Sequence, residues 1–535
     1  MLNFYWHAYK YFPYERKLAQ REVSSLLGHT PESEREGLCV PVVPEWQGRA
    51  YRTTYFCQAV AQDGGRVVPL QANLEESATH AGDSNREATG APILSRQSTR
   101  YSAHGLHEYR GKFNPQIVRA IGNILGLQPG DAILDPFCGS GTTILEAVHN
   151  GWNAVGIDAN PLAVQIARAK VAAMHVSPAD LNTLTQQVVE QLDERFAGVT
   201  FDKTFAPRRH RLLAGREWEL ALPHLPYLRS WFRESVLVQL SAILQEISSL
   251  PSMDVQLILK VVLSDILRNV SMQDPGDLRI RRLAHPPENA PAVPLFLSSA
   301  LSKVDQVLRA RAHLQTGQGN QTVLLADVRR CAKPAQKIAK QHRFAAVLTS
   351  PPYATALPYI DTQRLSLVLF DHVRNDELHT QERRMIGSRE ILTREREAID
   401  QRMAGSNKGL PQECSAFCRT LRSALSNDTD GFRRRNTPAL LYKYLTDMAD
   451  MFREVHQLIE PGTPYALVVG QNKTTLSGRT YMINTPYLLT CVAEDNGFEL
   501  QESVELETYQ RYDIHQSNSI RTETLLILQP RGNAC

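Results

Sequence analysis

Cysteine is scarce. The 535-residue chain has eight, none in a CxxC pair, and Cys414 and Cys418 have no second Cys/His pair at finger-like spacing. This excludes a disulfide framework or a zinc-finger scaffold and predicts free thiols in a reducing cytoplasm, with no metal site. A long apolar run is missing too. The most apolar helix-like stretch, around Val255 to Leu267, is broken by Lys260, Ser264 and Asp265, which makes it too short and too charged to span a bilayer. The opening MLNFYWHAYKYFPYERK lacks the continuous apolar segment of a signal peptide. A soluble cytoplasmic protein without membrane contact is therefore expected. An excess of one charge is the third absence. At a net charge of +3 the whole-molecule field is weak, so any nucleic-acid partner must meet a local basic surface.

What is present is ordinary globular material, 42% hydrophobic and 21% charged, long enough for roughly two to four domains or one domain with large insertions. Residues 1–70 mix aromatic, alternating segments (Arg49 to Ala59, Arg66 to Leu70) with a helical piece, Glu15 to Leu27, and predict a small N-terminal α/β module. Residues 71–100 turn to Glu, Ser, Thr, Asn, Gly and Ala and read as a linker or mobile loop, because such a stretch buries too little apolar surface to offset chain entropy. From Tyr101 to residue 531, strand-like runs alternate with helical periodicity, the signature of an α/β sheet with crossover helices. The strand candidates are Ala132–Leu134, Ala154–Ile157, Thr322–Leu325, Ala345–Leu348, Tyr465–Val469, Glu499–Glu505 and Thr522–Leu528. Leu441 to Ile459 has helix spacing. Two insertions interrupt the pattern: a mostly helical one at about 173–320 and an Arg/Glu-rich one at about 371–436.

The run Ala132-Ile-Leu134 leads into Asp135-Pro-Phe137-Cys-Gly139-Ser-Gly141-Thr142-Thr143 and a helix from Ile144 to His149. A strand, a Gly-rich turn and a helix set backbone N–H groups at the carboxyl edge of a sheet, where glycine lets a ligand approach the main chain. Dinucleotide enzymes use the same device, but here the third glycine of GxGxxG is missing and an acid precedes the loop. Asp135 would repel a pyrophosphate and suits the ammonium and sulfonium of S-adenosylmethionine. Asp158 ends the next strand and is placed to accept from ribose hydroxyls. Asp327 ends another and could accept from an adenine amino group.

A further strand, Ala345 to Leu348, ends in Thr349-Ser350-Pro351-Pro352-Tyr353. Two prolines remove donors and stiffen the chain as it leaves the sheet. Alone, such a turn is a rigid loop. After a methyl-donor loop, it can hold Ser350 and the Pro351 carbonyl towards an aryl amine, with the Tyr353 ring for stacking. An aryl amine is a poor nucleophile because its lone pair is delocalised, and accepting its N–H bonds helps localise that pair. Positioning two bound reactants is the main catalytic contribution expected.

Together these residues resemble the DNA amino-methyltransferases, which make N4-methylcytosine and N6-methyladenine. Asp135 to Thr143 resembles that family's donor-binding loop, and Ser350 to Tyr353 its target-amine motif in the serine form typical of N4-cytosine enzymes. The segment His107-Glu-Tyr-Arg-Gly-Lys112-Phe113-Asn-Pro115 looks like the stretch that packs beside the cofactor. The resemblance covers roughly a third to two-fifths of the chain and implies a Rossmann-like, S-adenosylmethionine-dependent methyltransferase sheet with helical insertions. It implies Ser350, Pro351, Pro352 and Tyr353 at the catalytic centre. For the cofactor it implies Lys112, Phe113, Asp135, Phe137, Gly139, Gly141, Thr142, Asp158 and Asp327. No Pro-Cys dipeptide occurs, so the covalent route of C5-cytosine enzymes has no obvious nucleophile.

Arginines at 383, 384, 389, 394, 396 and 433–435, at 208, 209, 211 and 216, and at 279, 281 and 282 are the candidates for phosphate contact. A target base must leave any duplex to reach Ser350. DNA is the expected partner, with a cognate restriction or defence protein as a possible companion. Transfer-RNA guanine-N2 enzymes use a similar loop and a PPY motif, so RNA is the alternative. A non-enzymatic nucleic-acid binder is the third reading, and two intact motif sets speak against it.

Overall fold

The computed structural model describes residues 1–78, 98–199, 201, 222–274, 281–314, 319–339, 343–354, 358–405, 409–426, 430–507 and 522–532. The N-terminal part is an antiparallel sheet of β1 (Leu2–Trp6), β2 (Glu32–Ser33), β3 (Gly37–Val40), β4 (Phe56–Ala61) and β5 (Arg66–Val67) in the order β2-β3-β1-β4-β5. The helix Pro13–Leu27 packs on it. Arg49 and Ala50 belong to a short helix, Trp46–Tyr51, and only the end of the expected Arg49–Ala59 segment is strand. This sheet is not a free-standing module. Phe4, Leu18 and Val23 share one core with Ile117, Ile121 and Trp152 of the large-sheet part.

The large sheet contains β6 (Ala132–Asp135), β7 (Asn153–Asp158), β8 (Gln321–Leu325), β9 (Phe344–Thr349) and β10 (Tyr465–Gly470). After the hairpin β11 (Asn472–Leu476) and β12 (Arg479–Ile483), it is completed by β13 (Phe498–Glu507) and β14 (Thr522–Pro530). The order is β13-β14-β10-β9-β6-β7-β8, parallel from β10 to β8, with β14 antiparallel to both its neighbours. All seven strands fall on runs expected from the sequence. Side chains alternate across it with period two: Ile133 and Leu348 join the core shared with the N-terminal sheet, while Ala132, Leu134 and Val347 face the helix Thr437–His456. This is a Rossmann-like α/β sheet. Its order reverses between β6 and β9, the first and fourth strands, and ligands bind outside the carboxyl ends at such a switch point.

The first insertion forms the helices Pro178–Arg195, Leu225–Arg229, Glu234–Ser249, Met253–Val270 and Ala292–Arg311, which pack on Leu145, Leu162 and Ile166. The second forms Leu378–Arg384, Thr393–Ala404, Gln412–Ser423 and Phe432–Arg435. One boundary needs correction. Residues 71–77, expected in a linker, belong to the helix Leu70–Ser77, which buries Leu70 and Leu74 beside Tyr101 and Ala310. Its polar composition hides an internal pairing, Gln71 Nε2 donating to the buried Glu75 at 2.6 Å. The rest of the expected linker, apart from residues 78 and 98–100, lies outside the described residues, as do Arg208, Arg209, Arg211, Arg216 and Arg279. Among the described residues no helix is long and apolar enough to cross a membrane.

Candidate active site

Two turns leave the sheet side by side at the switch point. The chain after β6 enters the Gly loop, and the chain after β9 enters Ser350-Pro-Pro-Tyr353. They are latched together: Thr349 Oγ1 donates to Asp135 Oδ1 at 2.6 Å, and the Phe137 amide donates to the same oxygen at 3.0 Å. Burial pushes the Asp135 carboxyl up to about 6, against the pull of these hydrogen bonds.

The Gly loop is held from below. The Cys138 amide donates to the Ile157 carbonyl (3.0 Å), and the Gly139 amide donates to Asp158 Oδ2 (3.0 Å). Asp158 Oδ1 accepts from the Asn160 amide at 2.7 Å, and burial raises this carboxyl to about 6 as well. Lys170, fully buried, donates to the Ser140 carbonyl at 2.7 Å, and burial lowers its ammonium to about 7. Gly141 ends the loop at φ +77°, where a Cβ would lie 2.6 Å from that of Ala167. Gly141→Ala is expected to cost about 2–5 kcal/mol from left-handed strain plus overpacking, read as a lower urea midpoint at unchanged m-value.

Above these turns lies a cavity of about 400 Å³, within the usual range for small-molecule sites. Lys112, Phe113, Phe137, Gly139, Asp158, Ser350, Pro351, Pro352 and Tyr353 all line it. Residues more than 200 positions apart therefore meet in one chamber. Four expected cofactor residues do not line it. Asp135 lies beneath the floor as the latch between the turns. Gly141 and Thr142 open the helix Thr142–Asn150 and serve its packing. Asp327 sits beside Asp158 at the sheet edge, but its carboxylate pairs with the Arg329 guanidinium at 2.7 Å and caps a short turn. These two roles hold its proton affinity below the ordinary value despite burial.

Other lining residues were missed. Tyr109 and Asn114 sit in the segment that carries Lys112, so position in that motif was a usable signal. Tyr359 opens the helix ahead of the second insertion, Met385 lies within that insertion and Glu523 is on β14, with no local signature. Glu523 accepts from the Tyr353 hydroxyl at 2.6 Å, which fixes the ring. Gly387 backs the turn so closely that a Cβ would lie 2.7 Å from the Tyr353 carbonyl oxygen.

Behind the Gly loop a buried charge cluster anchors the helix Thr142–Asn150. Arg119 Nε donates to Glu146 Oε2 at 2.9 Å, and the Tyr101 hydroxyl donates to Oε1 at 2.8 Å. His104 Nε2 and His149 Nδ1 lie 2.9 and 3.0 Å from that same oxygen. Ligand atoms of His104, Glu146 and His149 fall within 4.8 Å of one another, near enough for a metal ion. Arg119 and Tyr101, however, already occupy the carboxylate, which makes this a hydrogen-bonded ion-pair cluster.

Comparison with known proteins bears on the same residues. Residues 92–169, from before Lys112 to beyond Asp158, match the DNA methylase family model. The chain is 20% identical over 348 residues to the Type II methyltransferase M.MjaII of Methanocaldococcus jannaschii, covering 54% of this chain and 66% of that protein. It is 24% identical over 425 residues to the Type II methyltransferase M.BsoBI of Geobacillus stearothermophilus, covering 74% and 79%. A shorter match, 31% over 98 residues, covering 18% and 29%, is to the tRNA (guanine(10)-N2)-dimethyltransferase of Methanothermobacter thermautotrophicus. The match thus spans just under two thirds of the M. jannaschii protein. In its Gly loop and over these partial matches, the chain is similar to the DNA amino-methyltransferases.

Proposed function

We propose that this chain transfers a methyl group from S-adenosylmethionine to the exocyclic amino nitrogen of a nucleobase, N4 of cytosine in DNA. The observation that carries the reading is the Thr349–Asp135 hydrogen bond. It ties the Ser350–Tyr353 turn to the Gly loop, so that both line one cavity.

The chamber suits the donor. Gly139 exposes its backbone without a side chain, Asp158 offers carboxylate oxygens for hydroxyl groups, and Tyr109, Phe113 and Phe137 give ring faces. When bound, S-adenosylmethionine supplies an electrophilic methyl group on a positively charged sulfur. The protein's own part is positioning. Ser350 Oγ and the Pro351 carbonyl accept from the target N–H groups, the two prolines keep these acceptors from drifting, and Tyr353, braced by Glu523, stacks on the base. Met385 and Tyr359 narrow the chamber and exclude water.

Serine before the prolines favours cytosine. The similarity to a tRNA guanine-N2 enzyme favours the second reading, an RNA substrate. Incubation with labelled methyl donor and DNA or RNA, followed by digestion to nucleosides, separates them. Label in N4-methylcytosine is the expected result. Label in N6-methyladenine would overturn the base assignment, and label only in RNA would overturn the choice of polymer.

A further inference from the structure

Beside the cavity lie two small elements that the proposed chemistry does not use. One is the β11–β12 hairpin, which follows β10 directly at the carboxyl edge of the sheet. The other is the Phe432–Arg435 turn. Both are fixed to the site. Asn472 Nδ2, at the hairpin base, donates to the carbonyl of Ala354, the residue after Tyr353, at 2.6 Å. Asp430 joins the hairpin tip to the turn, accepting from the Ser477 amide and hydroxyl and from the Ser426 amide, each at 3.0 Å. Phe432 and Arg433 rim a cavity of about 270 Å³ together with Ile360, whose chain neighbour Tyr359 lines the main chamber.

Basic groups dominate the two elements themselves, while Asp430 at their junction is taken up by Ser477 and Ser426, and Asp361, Glu382 and Glu390 line the neighbouring cavity. Residues 472–483 and 431–436 contain Lys473, Arg479, Arg433, Arg434 and Arg435 and no Asp or Glu. Cross-strand pairing sets Lys473 opposite Met482 and Thr475 opposite Thr480, so these four share one face of the ribbon. Lys473, Thr480 and Met482 are exposed, Met482 at 58%, and Phe432 on the adjoining turn is 59% exposed. A face of hydroxyls, a thioether and one ammonium, flanked by guanidinium groups, is suited to base edges beside phosphates.

We infer that the β11–β12 hairpin and the Phe432–Arg435 turn form one surface that grips duplex DNA next to the extruded base, with the ribbon in the major groove. This rests on the nucleobase-methylation reading above. A two-stranded ribbon enters the major groove of B-form DNA, whereas that of A-form RNA is too narrow for side chains to read. Arg433 and Arg434 contact phosphates, and Thr480 and Met482 face the bases.

The test uses the full chain and a fluorescent pool of mixed-sequence DNA duplexes, roughly 30 base pairs long, titrated at several salt concentrations. The double variant Arg433→Ala/Arg434→Ala is expected to bind about tenfold more weakly, with a salt slope reduced by about 2. Thr480→Ala/Met482→Ala is expected to keep the slope but flatten the sequence motif recovered from the bound fraction. Circular dichroism and methyl-donor binding verify that both variants fold. Unchanged slope and motif in the folded variants would overturn the inference, as would tighter binding to RNA duplexes of the same sequences. The readout is binding, so the two readings fail separately. Altered binding without any methyl transfer defeats only the proposed function. Methyl transfer with unaltered binding in the variants defeats only this surface.

Discussion

Arg119→Ala is expected to lower folding stability by about 3–5 kcal/mol, because it strands the buried Glu146 carboxylate without its cation. Arg119 and Glu146 are both inaccessible to solvent, and Tyr101, His104 and His149 crowd the same carboxylate. Urea unfolding at neutral pH measures the loss. A companion variant, Arg119→Met/Glu146→Leu, should regain only part of it, since replacing both charges removes the desolvation penalty along with the attraction but orphans Tyr101, His104 and His149. If the single and double variants lose the same stability, the pair is not what holds this region.

Acid should weaken the same cluster. Burial alone would raise the proton affinity of Glu146, but Arg119, His149 and His104 outweigh it and hold the carboxyl well below its ordinary 4.5. A folded-state pKa below the unfolded one means the contribution is complete above about 4.5 and is withdrawn as pH falls towards the lowered value. Arg119→Met/Glu146→Leu should therefore show a shallower loss of stability on acidification than the parent chain. The helix Thr142–Asn150, which carries Glu146 and His149, begins directly at the Gly loop. Loosening the cluster should thus also weaken methyl-donor binding.

Ser350→Ala is the second large effect, of the opposite kind. It should lower kcat on the order of 100-fold, comparable with losing one preorganised hydrogen bond to a reacting group. Methyl-donor affinity and thermal stability should stay near those of the parent. Ser350 is only partly buried, at the head of a turn held by its prolines, Thr349 and Asn472, so removing one hydroxyl leaves the backbone in place. Single-turnover methyl transfer and calorimetric titration with the donor separate the two quantities. A variant that turns over normally but no longer binds the donor would reverse the assigned role. Asp158→Ala is the converse control: its loss should appear in donor affinity first.

The sequence was most legible where local chemistry and fold agree. The Gly loop announces itself because a strand, two glycines and a helix must be contiguous, and the central strands β6, β7, β9 and β10 are buried apolar runs, while the edge strand β13 shows period-two alternation. The helix Leu70–Ser77 was hard to read because its few buried apolar residues, Leu70, Ala72 and Leu74, are interleaved with polar ones, and Gln71 is buried by donating to Glu75. The hairpin β11–β12 escaped notice because Lys473 to Ile483 is mostly polar and two-sided, without the alternation that marks a half-buried strand.

Residue types and spacing alone determined that a Gly-rich turn and a Pro-Pro turn each follow a parallel strand, and therefore that this is an α/β protein; the two turns resemble those of amino-methyltransferases. Tertiary structure decided which of the named residues meet. Sheet order sets β6 beside β9 across 214 residues of sequence, closes the cavity between their turns, and brings Glu523 from the last strand onto Tyr353. It also turns Asp135 into a latch and commits Asp327 to Arg329, because a carboxylate at a crowded sheet edge goes to its nearest donor. Sequence specifies which groups are available, and only strand pairing and packing decide which of them remain open to a ligand.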